Sequence, residues 1–232
     1  MRSGRDNEKY SFYRKKHLLS IIDECAPQNI LEIGCGLETI GIDLVNFENL
    51  HVVEPSNKFY KKLISDVESH ANIYTHNCLI EDFKINFNFD FIIISSLLHE
   101  IEDLGVFFQK LKSISSKETI LYFNMPNSNS FHRVLALHMG LISDLKEFSV
   151  SNIKYQTQRV FNIKDLEKTM SENGFQILDK GSYFIKPFTH TQMQSMIDKN
   201  IIDQGVLEGL NNLSKSLPDF GSEIFITVKL NS

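Results

Sequence analysis

The run Phe89-Asp-Phe-Ile-Ile-Ile94 restricts the fold more than any other stretch of this chain. Apolar at every position but Asp90, it reads as a strand covered on both faces, the condition of strands at the centre of a parallel sheet. Parallel neighbours need crossover connections, so strands and helices should alternate around it. They do. Ile30-Leu-Glu-Ile33, Leu50-His-Val-Val53, Ala71-Asn-Ile-Tyr-Thr75 and Thr119-Ile-Leu-Tyr-Phe123 read as the other strands of the first half. Helices are expected over Thr39–Val45, over Lys58–Ile64 with Ser56 placed as its cap, and over Gly105–Ile114, where Glu102 and Asp103 suit the positive helix end. A further helix over Tyr10–Cys25, carrying Phe12, Leu18, Leu19, Ile21 and Ile22 and stopped by Pro27, opens the chain. The fold class expected is α/β, a doubly wound and mostly parallel sheet with right-handed crossovers.

Beyond Pro126 the alternation weakens. Helices are expected near Ser130–Met139 and over Lys164–Glu172, the second closed by Asn173-Gly174, with a polar stretch Ser149–Gln158 between them. Phe175–Leu178 reads as a strand, Lys186–Gly221 as a connection of helical pattern, and Glu223–Leu230 as the final strand. A chain of 232 residues suits one domain, with residues 1–26 as an opening helix and 30–126 as the core. Segments 127–162 and 187–221 read as insertions that cap a pocket, the alternative being cover for an exposed sheet edge.

The net charge of -5 and the lack of a long basic run argue against a nucleic-acid partner. Cys25, Cys35 and Cys78 are odd in number and lack metal-ligand spacing, so neither a disulfide framework nor a zinc site is expected. The first ten residues are polar and no apolar run reaches membrane-spanning length, which predicts a cytoplasmic protein, monomer or homodimer, without a membrane partner.

Gly34-Cys35-Gly36 follows the first strand directly, where glycine lets backbone approach a ligand and a following helix would offer free N–H groups. Thr39 stands where a dinucleotide fingerprint has its third glycine, so a nucleoside without a pyrophosphate fits better than a nicotinamide cofactor. Glu54, at the end of the second strand, is placed to accept two ribose hydroxyls; its alternative role is to cap the next helix.

Taken together, Leu31-Glu-Ile-Gly-Cys-Gly36, Val52-Val-Glu-Pro-Ser56, Ile80-Glu-Asp-Phe83 and Phe89–Ile101 resemble the successive motifs of class I S-adenosylmethionine-dependent methyltransferases. The resemblance implies a seven-stranded sheet ending in an antiparallel hairpin, and S-adenosylmethionine as cofactor with S-adenosylhomocysteine as product. It would put Glu32 under the methionine amino group, Gly34, Cys35 and Gly36 along methionine and ribose, and Glu54 with Pro55 at the ribose. Asn77, Ile80, Glu81 and Asp82 would flank adenine, and Ser95 would border the sulfonium. Arg14, beside Tyr13 in the opening helix, is placed to reach the cofactor carboxylate; the other reading is a solvated helix face.

Methyl transfer from a sulfonium is an in-line displacement, so the protein mainly aligns the partners and deprotonates a hydroxyl acceptor. His99 and Glu100, just after the fourth strand, stand where such sheets bind ligands, and His99 is the first candidate base. Asn124–Arg133 resembles the proline-asparagine segment of relatives that methylate sugars and other hydroxyl-bearing metabolites. It makes His132 an alternative base and Arg133 a candidate for binding an acceptor phosphate or carboxylate. Arg159, in the first insertion, joins His99, His132 and Arg133 as an acceptor-binding candidate. No metal is expected. The function these residues imply is O-methylation of a small polar acceptor such as a sugar or sugar-phosphate in surface-glycan synthesis. The alternatives are N-methylation of a small metabolite and a non-catalytic cofactor-binding protein.

Overall fold

The computed structural model describes residues 8–149, 152–153 and 157–231, with side chains from residue 12 onward. The extreme amino-terminal segment and residues 150–151 and 154–156 of the polar stretch lie outside it. In chain order the elements are α1 (Glu8–Cys25), β1 (Asn29–Ile33), β2 (Asn49–Val53), α2 (Asn57–Val67), β3 (Ile73–His76), β4 (Phe91–Ser95) and α3 (Leu104–Ser113). There follow β5 (Ile120–Pro126), α4 (Phe131–His138), α5 (Ile163–Glu172), β6 (Phe175–Tyr183), α6 (His190–Asp198), α7 (Gln204–Leu213) and β7 (Glu223–Leu230).

The seven strands form one sheet in the order β3-β2-β1-β4-β5-β7-β6. The first five run parallel, and β7 is antiparallel to both β5 and β6. In β4, Phe91 and Ile93 enter one core with Tyr13, Leu18 and Ile22 of α1, Leu63 of α2, Met193 of α6 and Leu207 of α7. Ile92 and Ile94 enter the other, with Phe107, Phe108 and Leu111 of α3 and Leu166 and Met170 of α5. All four β4 residues are fully buried, and each such side chain contributes roughly 1.5–3 kcal/mol. The apolar run at both parities is the mark of helices on both sides.

Capping accounts for most helix starts. Asp103 accepts from the Val106 N–H, Asp203 from that of Val206, and capping boxes at Asn162/Asp165 and Thr189/Gln192 start α5 and α6. Asn173 and Gly174, at φ +79°, close α5 as expected.

One expected helix is absent. Over Thr39–Val45 the chain makes only a single 3₁₀ turn, Ile40–Ile42. The Thr39 hydroxyl donates to Glu32, and a Cβ on Gly41 would come within 2.4 Å of Leu50 Cδ2, so this turn is pressed onto the sheet and cannot continue as a surface helix. Ser56 occupies the α2 cap position, but its side chain makes no cap bond. Among the described residues, no helix is long and apolar enough to cross a membrane.

Candidate active site

At the carboxyl end of β1 the chain turns through Gly34 and Gly36, both at positive φ (+73° and +62°), a region costly for side-chain-bearing residues. A Cβ on Gly34 would also meet Leu97 Cδ2 at 3.3 Å. Glu54, 4% exposed, stands beside this turn. Its carboxylate accepts from Gly36 N–H at 2.9 Å and Ser56 N–H at 2.8 Å, while Asn77 Nδ2 donates to the Glu54 carbonyl at 2.8 Å and to that of Pro55 at 3.2 Å. Because no α-helix follows the turn, the helix-terminus contribution expected from the sequence falls away; Glu54 instead takes the Gly36 N–H.

Glu32 is buried beneath the turn, accepting from the Thr39 hydroxyl and, at 3.2 Å, from Ile40 N–H. Burial, with a lesser push from Glu54, raises its pKa to about 7, against the pull of those donors. Burial likewise pushes the Cys35 thiol well up, which leaves it no nucleophilic character at neutral pH. Ile80 is buried at the start of a 3₁₀ turn, Ile80–Asp82, that carries Glu81 half-buried and Asp82 exposed. Glu32, the glycines, Glu54, Pro55, Asn77 and Ile80–Asp82 thus share one edge, the carboxyl ends of β1 to β3.

Ser95 ends β4, opposite Asn124 of β5. Four residues on, His99 is buried, with Nε2 3.7 Å from Glu100 Oε1. His132 of α4 is held far toward the neutral form, to about 3, by burial and by the charges of Lys186 and Arg133. Three arginine donor sets and Tyr13 are directed to protein partners. Arg133 clips the carbonyls of Leu145 (2.8 Å) and Glu147 (2.7 Å), and Arg159 those of Ile101 and Glu102. Arg14 clasps Glu223 through Nε at 3.0 Å and Nη2 at 2.5 Å, so it is not on a solvated face. Tyr13 stacks on Phe184 at 4.6 Å between ring centroids and directs its hydroxyl to Glu208.

Glu223 is the centre of a cluster under α1. Besides Arg14, its Oε2 accepts from Asn124 Nδ2 at 2.7 Å and from the Tyr183 hydroxyl at 2.8 Å. Burial works against its charge, but Arg14 and these donors hold its carboxyl below the usual range. His17 packs between Phe225 (4.2 Å) and Tyr183 (4.7 Å), and burial lowers its pKa to about 4.

A family model described as a methyltransferase domain matches residues 8–180. The chain belongs to that family. Its fold is shared with the N-methyltransferase NodS of Bradyrhizobium japonicum WM9 bound to S-adenosylhomocysteine (12% identity, 99% of this chain and 94% of that one, TM-score 0.61). It is shared also with an S-adenosylmethionine-dependent methyltransferase of Clostridium acetobutylicum ATCC 824 (14%, 98% and 96%, 0.61). The plantazolicin methyltransferase BamL, solved with a triazolic desmethylPZN analogue and S-adenosylhomocysteine, is similar to the same degree (14%, 99% and 90%, 0.63). No curated protein sequence matches. The methyltransferase uses S-adenosylmethionine as donor.

Sequence reasoning about the methyltransferase missed Asn124, Tyr183, Glu223 and His17 as members of one site. Asn124 did carry a signal, an amide placed inside an otherwise apolar strand. Glu223 and Tyr183 carried none, because their meeting depends on the antiparallel register in which Tyr183 faces Glu223 across β6 and β7. Among the described residues no group of three or more potential metal ligands converges.

Proposed function

We propose that this enzyme methylates a hydroxyl of a small polar acceptor, such as a sugar or sugar-phosphate derivative on the way to a surface glycan. The observation that carries this reading is the buried His99 imidazole beside the Glu100 carboxylate at the carboxyl end of β4. The Glu100 carboxylate stands where it can orient the imidazole, and a base within reach is what a hydroxyl acceptor requires. Leu97, two residues before His99, lies against Gly34, which brings the imidazole into the neighbourhood of the cofactor turn.

The bound cofactor supplies a methyl group made electrophilic by its sulfonium. In this proposal Glu54 receives the ribose hydroxyls, with its carboxylate held by the Gly36 and Ser56 N–H groups. Glu32 faces the methionine ammonium, and Ile80, Glu81, Asp82 and Asn77 border adenine. The insertions carrying α4, α6 and α7 shape the acceptor side of one catalytic unit, working in the cytoplasm as a monomer or homodimer without nucleic acid. His132, held neutral down to about 3, is too weak a proton acceptor to compete with His99 for the role of base.

The test is methyl transfer from labelled cofactor to a panel of sugars, nucleotide-sugars and phosphate esters, with matched amines beside them. His99→Ala should lower turnover by about 10²–10⁴-fold with S-adenosylhomocysteine affinity kept, and His132→Ala by much less. Transfer to the amines alone would replace the proposal with N-methylation.

A further inference from the structure

The cluster beneath α1 fixes the orientation of one side chain. Glu223 is ionised and offers only lone pairs, so Asn124 must turn its NH₂ toward it; the amide cannot be flipped without setting oxygen against oxygen. The second amide proton goes to the Tyr183 oxygen at 2.9 Å, and that hydroxyl spends its own proton on Glu223 at 2.8 Å. Both donors of Asn124 are thereby consumed. Its Oδ1 is left fully buried with no donor, in a residue of 0% exposure. Leaving a buried acceptor so is costly, and native folds keep few such atoms without a reason.

The location gives the reason. Asn124 lies opposite Ser95 in the β4–β5 register, and the Ser96 N–H donates to the Asn124 carbonyl at 2.9 Å. The Ser96 hydroxyl is itself buried without a partner. Ser95 and Asn124 are therefore adjacent at the carboxyl edge, on the α1 side of the sheet, and Ser95 is the residue that the family resemblance would set beside the sulfonium.

We propose that Asn124 Oδ1 is the hydrogen-bond acceptor that seats the attacking atom of the methyl acceptor, its direction set by Glu223 and Tyr183. The attacking atom must then carry a proton to donate, which assigns the acceptor to the alcohols and amines; an alcohol makes this bond on binding and gives it up when His99 takes the same proton, whereas an amine keeps a second N–H for it. A thiol donates weakly and a carboxylate or carbanion not at all, so each would leave Oδ1 unsatisfied. Asn124 touches the substrate; Glu223 and Tyr183 are positioning residues. The inference rests on the cofactor reading but not on whether oxygen or nitrogen is methylated.

Sinefungin, an S-adenosylhomocysteine analogue with an ammonium-bearing carbon in place of the sulfur, probes this seat without knowledge of the acceptor. Calorimetric titration of the wild-type protein should show sinefungin binding about tenfold tighter than S-adenosylhomocysteine, the value of one hydrogen bond to a charged group. In Asn124→Ala the preference should fall to about onefold with S-adenosylhomocysteine affinity unchanged. In Asn124→Asp, whose protonated carboxyl can donate to Glu223 and still present an oxygen, it should return. Wild-type protein that binds both ligands equally, or a preference that survives Asn124→Ala, overturns the proposal. Should Asn124→Ala fail to fold, the wild-type ratio and the Asp variant decide alone. If S-adenosylhomocysteine does not bind at all, the cofactor reading fails and takes this inference with it; binding without preference removes the inference only.

Discussion

Two carboxylates, Glu54 and Glu223, mark two edges of the active site and are held in opposite ways. Glu54 is fixed by the Gly36 and Ser56 N–H groups, and its other neighbour, Asn77, reaches it from the next strand. Glu223 is fixed by side chains alone, from α1, β5 and β6, as far away in sequence as Arg14 (209 residues) and Asn124 (99 residues). The first arrangement is local and survives small shifts of the helices; the second exists only when α1 and the last two strands are all in place. The cofactor edge should therefore govern ligand affinity and the β5–β7 edge stability.

The largest expected effect breaks this division if it is wrong. Glu223→Ala should cost about 3 kcal/mol in urea unfolding, because it strands the partly buried Arg14 charge, while S-adenosylhomocysteine affinity changes little. Glu54→Ala should do the reverse, weakening that ligand by about 100-fold at a stability cost near 1 kcal/mol. Exchanged outcomes would reverse the division. Next in size, the pair Arg14→Met with Glu223→Leu should recover about half or more of the Glu223→Ala loss, since apolar replacement of a buried ion pair is often neutral; a double variant no more stable than the single one would mean that the carboxylate serves through Asn124 and Tyr183 instead.

The two edges should also respond to protons with opposite sign. Glu32 has a folded pKa of about 7, above the usual carboxylate value, so its contribution to stability is complete at low pH and is lost as pH rises through 7. Its deprotonation should meanwhile strengthen cofactor binding between pH 6 and pH 8, with proton release visible as a buffer-dependent binding enthalpy. His17, with a folded pKa lowered to about 4, contributes stability that is complete above 6.5 and lost as pH falls toward 4. His17→Phe should flatten the acid limb of a urea-midpoint profile; an unchanged limb would place the acid sensitivity elsewhere. The smallest effect is that of Thr39→Val. Loss of the hydroxyl that lowers the Glu32 pKa should move the midpoint of cofactor binding upward by a fraction of a pH unit.

The same contrast explains what could be read from the sequence. The order of strands through β5 was legible because each has its own apolar run, and β4 shows its burial in four consecutive apolar letters, Phe91 to Ile94. The Gly34–Gly36 turn, Glu54 and Ile80–Asp82 were legible because they lie next to those strands in the chain. The 3₁₀ turn at Ile40–Ile42 was not, since it depends on the contact between Gly41 and Leu50 of another strand. Nor was the Arg14–Glu223 pair: a guanidinium beside Lys15 and Lys16 looks like a solvated face until the sheet places a carboxylate beneath it. Arg133 and Arg159 were drawn to loop carbonyls for the same reason, their partners being set by insertions that carry little periodicity.

The position of β7 has a consequence for how the chain is made. The last strand of this sheet in chain order is inserted between two synthesised before it, β5 and β6. Until it arrives, the parallel strands can form at most a sheet whose β5 edge is open, and β6 has no partner. Unpaired edges of this kind are where incomplete chains associate with one another. Glu223 opens that strand, and its partner Arg14 lies 209 residues before it, so their pairing signals that the sheet has closed.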